Sequence, residues 1–216
     1  MVILEQLRKE VWEYNLDLPK RGLVVMTSGN VSGRDPETNL VVIKPSGVNY
    51  AMMQPEDMVI VDLNGKKVEG KLKPSVDTES HLYIYRQRPD VFGVCHTHST
   101  YASVFAALGR PIPACLTTTA MLGGEIPLGD FVPVGEAEIG KEVVDKIGDK
   151  KAIIMRNHGV FTIGKDAFHA TKMAIEVEEI AKITYFALLL GTPTVLTNEQ
   201  IGIFKHIYEN IYGQRA

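Results

Sequence analysis

Val94-Cys95-His96-Thr97-His98-Ser99 is the stretch that decides how this chain is read. The apolar run Val91-Phe92-Gly93-Val94-Cys95 leads into it and reads as a short buried strand. Side chains alternate faces along a strand, so His96 and His98 are expected to point the same way. A single buried imidazole is ordinarily a hydrogen-bonded core residue. A same-face pair at a strand end is how a strand offers two nitrogen donors to one metal ion. A catalytic metal site needs at least three protein donors and an open position, so the others must come from elsewhere in the chain.

A third imidazole stands in a matching context. Ala152-Ile153-Ile154-Met155 is a second short apolar strand; Asn157-His158-Gly159 closes it, and Val160 to Gly164 follows. Upstream, Lys73-Pro74-Ser75-Val76-Asp77-Thr78 leads into a helix that Asp77 or Thr78 can cap, with Ser80 and His81 in its first turn. Asp77, His96, His98 and His158 together would give one oxygen and three nitrogens, a set suited to a borderline divalent metal, zinc first.

Three further places read as anion sites or as simple turns. Thr27-Ser28-Gly29-Asn30-Val31-Ser32 is a small polar cluster around a Gly-Asn pair, and both residues tolerate the left-handed backbone that turns successive N–H groups into a nest. Ser46-Gly47 follows the strand Leu40 to Lys44, and Ser75 stands beside a helix N-terminus.

The remaining chain alternates helices and strands. Residues 3 to about 16 have helical spacing, ended by Pro19; Met58 to Leu63 and Lys66 to Gly70 form a hairpin about the two-residue turn Asn64-Gly65. Helices are expected over 100–108, 137–147, 167–190 and 198–212; the 167–190 helix carries Glu176, Glu178 and Glu179 on or near one side. Residues 112–135, rich in Pro, Gly and Thr, carry no clear pattern, and Tyr212 begins a short polar tail. One α/β layered domain spanning 1–216 is the economical reading.

Composition excludes several classes. With 216 residues, 45% apolar and 23% charged, the chain is ordinary for a globular domain. A net charge of −3 with scattered Lys and Arg gives no footprint for nucleic acid. The longest apolar runs fall short of the roughly 18 residues that cross a membrane, and Glu5, Arg8, Lys9 and Glu10 stand where a signal peptide would be apolar. Two cysteines, Cys95 and Cys115, suit a reducing compartment. A cytoplasmic protein with a small-molecule partner is expected.

The ordered motifs Ser28-Gly29-Asn30-Val31-Ser32, Ile43-Lys44-Pro45-Ser46-Gly47-Val48, Lys73-Pro74-Ser75-Val76-Asp77-Thr78 with His81, His96-Thr97-His98-Ser99 and Asn157-His158-Gly159 resemble the class II aldolase/adducin family over residues 5 to 214. The likeness is to its sugar-phosphate branch, which includes L-ribulose-5-phosphate 4-epimerase and L-fuculose-1-phosphate aldolase. It implies a mainly antiparallel central sheet flanked by helices. It also implies Zn2+, or another divalent metal, on His96, His98 and His158 with the carboxylate position at Asp77, and phosphate binding by Gly29-Asn30, Ser46-Gly47 and Ser75-Val76. Family members often have a second serine where Val76 stands, so that position offers only a backbone N–H. Tyr212 matches a family tyrosine that a neighbouring subunit of a homotetramer supplies as proton donor.

The expected chemistry is metal-assisted breaking and making of a carbon–carbon bond in a ketose phosphate. Asp77 in place of Glu, Lys44-Pro45-Ser46-Gly47 and Tyr212-Gly213-Gln214 place the epimerase slightly ahead. The aldolase is the alternative, because Thr117-Thr118-Thr119-Ala120 stands where epimerases carry a second catalytic Asp and the Gly123-Gly124-Glu125-Ile126-Pro127 layout resembles the aldolases, with Glu125 or Asp130 as candidate substitutes for that Asp. A non-catalytic adducin-like scaffold is the reading of another class, which intact metal positions disfavour.

Overall fold

The computed structural model describes residues 4–133 and 137–214. Ile3 of the expected first helix and Arg215-Ala216 of the tail lie outside the described residues. Helix α1 (Glu5–Lys20) precedes strands β1 (Asn30–Arg34), β2 (Val41–Ile43), β3 (Val59–Val61) and β4 (Lys67–Glu69). Helix α2 (Thr78–Gln87), strand β5 (Gly93–Thr97) and helix α3 (Thr100–Leu108) follow, then β6 (Leu128–Gly129), α4 (Glu138–Ile147), β7 (Ala152–Met155), β8 (Val160–Gly164), α5 (Ala167–Leu190) and α6 (Asn198–Asn210).

The strands form one sheet in the order β4-β3-β2-β1-β5-β8-β7-β6. Every pairing is antiparallel except β6 with β7. This is the α/β architecture with a mainly antiparallel sheet that the motifs imply.

Register explains the layers. Ser32 pairs with Val94, His96 with Asn30 and Phe161, and Phe161 with Ile153, so these residues share one face. That face packs under α2 and α4 through Leu82, Ile84, Tyr85, Ile139, Val143 and Ile147. Val31, Cys95 and Ile154 point to the other face, against α1, α3 and α5. Each such side chain taken out of water contributes about 1.5–3 kcal/mol, and both faces are needed to bury a sheet this regular. The α2–α4 crossing is close because Gly140 has no side chain: a Cβ there would stand 2.5 Å from the carbonyl oxygen of Ser80.

Several expectations shift in detail. Helix α1 runs through Pro19 to Lys20, since a proline in the last turn forfeits one helical bond, and Arg21 N–H to Asp17 O at 3.0 Å closes the end. The β3–β4 hairpin turns through three residues, with Asp62 N–H donating to Lys66 O at 3.0 Å and Gly65 taking a positive φ of 82°. Strand β5 starts at Gly93 and ends at Thr97, so His96 lies inside it and His98 one residue beyond. In the unpatterned segment, Thr117–Leu122 is a 3-10 helix and β6 an edge strand. No helix among the described residues is long and apolar enough to cross a membrane.

Candidate metal centre

Strand β5 delivers His96, and the turn between β7 and β8 delivers His158. Asn157 takes a left-handed φ of 56°, and Met155 N–H donates to Gly159 O at 2.8 Å, which folds the turn back over the sheet end. His98 is held by its own N–H, which donates to Leu23 O at 3.1 Å. The candidate ligand atoms of the three rings all lie within 4.8 Å of one another.

The buried His96 ring stacks on Phe161 at 4.2 Å, and its Nδ1 lies 2.9 Å from the carbonyl oxygen of Val160. A carbonyl only accepts, so neutral His96 carries its proton on Nδ1 and presents a bare Nε2 lone pair, the orientation an outer-shell carbonyl gives a metal-binding histidine. That Nε2 stands 2.9 Å from Nε2 of His98. Two nitrogens on one tetrahedral zinc at about 2.0–2.1 Å are about 3.4 Å apart, so the spacing suits a single ion after small adjustment.

Burial pushes His96 down to about 3, and burial also lowers His98 and His158. All three are therefore neutral donors at pH 7, and Nδ1 of His158 is buried without a hydrogen-bond partner. The residues present fit a divalent cation.

Asp77 lies on the same cavity wall but outside the three-imidazole group. It occupies the N-cap position of α2 yet makes no capping bond. Its Oδ2 accepts instead from Nδ2 of Asn30 at 2.6 Å and from Oγ of Ser75 at 3.4 Å. Burial raises its carboxyl, but His96, His81 and the Asn30 hydrogen bond outweigh this and hold it below the usual carboxylate range. Asn30 also donates to Oγ of Ser75 at 3.0 Å, so both hydrogens of its amide are engaged and its Oδ1 is left buried without a partner. Behind Asp77, Oγ of Ser32 lies 2.7 Å from Nδ1 of His81 and 2.8 Å from the Tyr85 hydroxyl.

The cavity, about 430 Å³, is lined by Gly29, Asn30, Ser46, Gly47, Ser75, Val76, Asp77, His96, His98 and His158, together with Thr27, Ser28 and Lys44. All three candidate anion segments thus meet the imidazoles in one space. Gly29 has φ 71°, and a Cβ on it would stand 2.4 Å from Cγ1 of Val24, so the loop cannot close there with any larger residue. Two backbone donors of these segments are spent internally: Ser46 N–H on Lys73 O and Ser75 N–H on Lys44 O, each 2.9 Å. These bonds flank the bridge between Pro45 and Pro74 that brings the two segments together.

Lys44 is the wall residue that the sequence pattern does not single out; its signal is a charge ending an apolar run. Its side chain is buried, Nζ donates to Thr27 O at 3.0 Å, and the ammonium lies 4.7 Å from the Tyr50 ring centre. Burial pulls it down to about 8, against the pull of Asp77.

Other candidates lie elsewhere. Tyr212, beyond α6, is 69% exposed and rests on the Tyr208 ring at 5.5 Å. It does not line this cavity, since α6 packs on the Thr117–Leu122 helix. Glu125 lines a different cavity, and Asp130 is exposed beside Lys146 and Arg156. Neither lines this cavity in its own chain.

The family described as the class II aldolase and adducin N-terminal domain matches residues 9–185. Among solved structures, an L-fuculose 1-phosphate aldolase superposes with a TM-score of 0.91 at 30% identity, over 94% of this chain and 96% of that one. The L-fuculose-1-phosphate aldolase of Thermus thermophilus gives 0.73 at 28% identity, over 88% and 99%. The L-fuculose 1-phosphate aldolase of Glaciozyma antarctica shares the fold, with a TM-score of 0.81 at 23% identity over 93% and 80%. Family match, fold and converging imidazoles agree: the chain belongs to the class II aldolase and adducin family.

Proposed function

We propose that this chain is a divalent-metal-dependent aldolase that cleaves a ketose phosphate. The observation carrying this reading is that three neutral imidazoles, one carboxylate and a polar anion end share a single cavity. His96, His98 and His158 would hold the metal, zinc first. When bound, it supplies Lewis-acid polarisation of the substrate's carbonyl. Thr27, Gly29, Ser46, Gly47, Ser75 and the Lys44 charge would hold the phosphate, so that binding energy at the inert end orients the reacting carbons. Asp77, fixed by Asn30, takes the carboxylate role, as ligand or in moving a proton at the reacting carbon.

A tyrosine that is 69% exposed and does not line its own chain's cavity suits a proton donor offered to another subunit. The exposed Ile183, Phe186, Leu189 and Leu190 late in α5 supply apolar surface for such a homo-oligomer, with a tetramer as the proposed state.

An epimerase acting on L-ribulose 5-phosphate is the second reading, supported by the Asp at position 77. Aldolase is preferred because Asp77 is the only carboxylate among the described residues lining the cavity. The test is to incubate metal-replete protein with L-fuculose 1-phosphate and with L-ribulose 5-phosphate, following dihydroxyacetone phosphate and xylulose 5-phosphate separately. Dihydroxyacetone phosphate is the expected product. Xylulose 5-phosphate alone would favour the epimerase. Neither product, with metal content and stability unchanged in His96→Ala, would favour the scaffold.

A further inference from the structure

Helix α3 begins two residues after His98, and its start is built in an unusual way. Ser99 occupies the N-cap with extended backbone, φ −63° and ψ 141°, the conformation from which a serine normally accepts from the first turn. It makes no such bond, and its Oγ is buried without a partner. The cap comes from another helix. Glu178, partly buried midway along α5, places Oε1 2.9 Å from Tyr101 N and Oε2 3.0 Å from Ala102 N. One carboxylate oxygen on each of two first-turn N–H groups satisfies donors with no partner inside the helix and sets a negative charge at its positive end.

We propose that Glu178 is a positioning residue for His98, acting through the first turn of α3; this rests on the metal-binding reading above. The backbone at His98 has two anchors. One is the 3.1 Å bond from its N–H to Leu23 O, on the loop that continues into Gly29. The other is the α3 start, where Ser103 N–H donates to Ser99 O at 2.9 Å and Glu178 ties the first turn to α5. Helix α5 also packs across β5, which carries His96. Glu178 thus sets the start of α3 relative to the strand holding the first imidazole, and so sets where the second imidazole falls. Ligand geometry must hold to about 0.5 Å for a metal site, and a serine cap would fix α3 internally without referring it to β5.

The test compares Glu178→Ala and Glu178→Gln with Asp166→Ala, which removes the side-chain cap that His169 N–H makes with Asp166 at 2.7 Å at the start of α5. Zn2+ affinity is read by competition with a chromogenic chelator, and backbone order by amide exchange across residues 97–102. Glu178→Ala is expected to weaken Zn2+ binding about ten-fold and to speed exchange in that segment; Glu178→Gln, which keeps one acceptor, falls between. Asp166→Ala lowers the thermal midpoint with Zn2+ affinity within about two-fold of the parent. Both Glu178 variants binding Zn2+ as tightly as the parent would overturn the proposal, and the near-isosteric Gln variant decides should the Ala variant fail to fold. A parent chain that binds no Zn2+ would sink the metal reading and this inference with it.

Discussion

Gly159 leaves the space that the His98 ring fills: a Cβ on Gly159 would stand 2.7 Å from Cδ2 of His98. The same Cβ would stand 2.4 Å from the carbonyl oxygen of Thr97 and 3.3 Å from Cε1 of His96. Two of these three neighbours are rings of the cluster, and the third is backbone of Thr97, the residue between them at the end of β5. The glycine is therefore a condition for the three imidazoles to meet.

Gly159→Ala is expected to cost about 1–3 kcal/mol of stability through overpacking. It should also lower the zinc retained after dialysis. Urea unfolding and elemental analysis check the two effects. A variant with parental zinc content and a lower midpoint would show that the cluster tolerates a wider turn.

The buried His81 is expected to make the metal-free protein acid-sensitive. Burial lowers it from the ordinary 6.5 to about 4, with Asp77 opposing. Between those values the unfolded chain binds the proton and the folded chain does not. The His81 contribution is thus complete above about pH 6.5 and is lost as pH falls toward 4, amounting to about 3 kcal/mol. The depressed His96 acts in the same direction, so His81→Asn should flatten the decline in urea stability between pH 7 and 4.5 without abolishing it. An unchanged decline in that variant would remove His81 from the account.

Val76, 61% exposed, is one of the residues lining the cavity beside Ser75 and Asp77. Val76→Ser adds a hydroxyl donor there and should lower KM for a phosphate-bearing substrate about five-fold, equivalent to about 1 kcal/mol, the net worth of one ordinary hydrogen bond. Stability should move by less than about 0.5 kcal/mol, as for other surface substitutions. Steady-state kinetics with the same ketose phosphate decides; a KM unchanged or raised would mean that the phosphate sits away from residue 76.

Tyr212→Phe removes one hydroxyl from a side chain packed mainly on Tyr208. Turnover is expected to drop by about 10²-fold or more, as for loss of a general acid, with zinc content and thermal midpoint unchanged. Mixing this variant with a His98→Ala chain should restore part of the activity if the sites are shared between subunits. Full turnover by the Tyr212→Phe protein alone would take the tyrosine out of the reaction.

Local pattern was enough for most of the elements. The helices at 100–108 and 167–190 and the strands at 152–155 and 160–164 have the limits their apolar periodicity and flanking Gly residues imply. Periodicity is a property of neighbouring residues, so it needs no knowledge of the fold. Turn chemistry at Gly29-Asn30, Ser46-Gly47 and Ser75 left each place open between a simple turn and an anion site; the motif order, through its resemblance to one family, is what grouped them, and they do line one cavity.

Tertiary structure alone decided how those pieces face one another. Strand β8 lies beside β5 although more than sixty residues separate them, and only that adjacency brings His158 to His96. Asp77 looks like a helix cap in sequence, but a nearby Asn30 amide draws its carboxylate into the cavity instead. Lys44, Glu178 and the absence of Tyr212 from its own chain's cavity follow from long-range packing, for which one-dimensional spacing carries no signal: a side chain's partner is set by which strands become neighbours, and this is fixed by burying both faces of the sheet together.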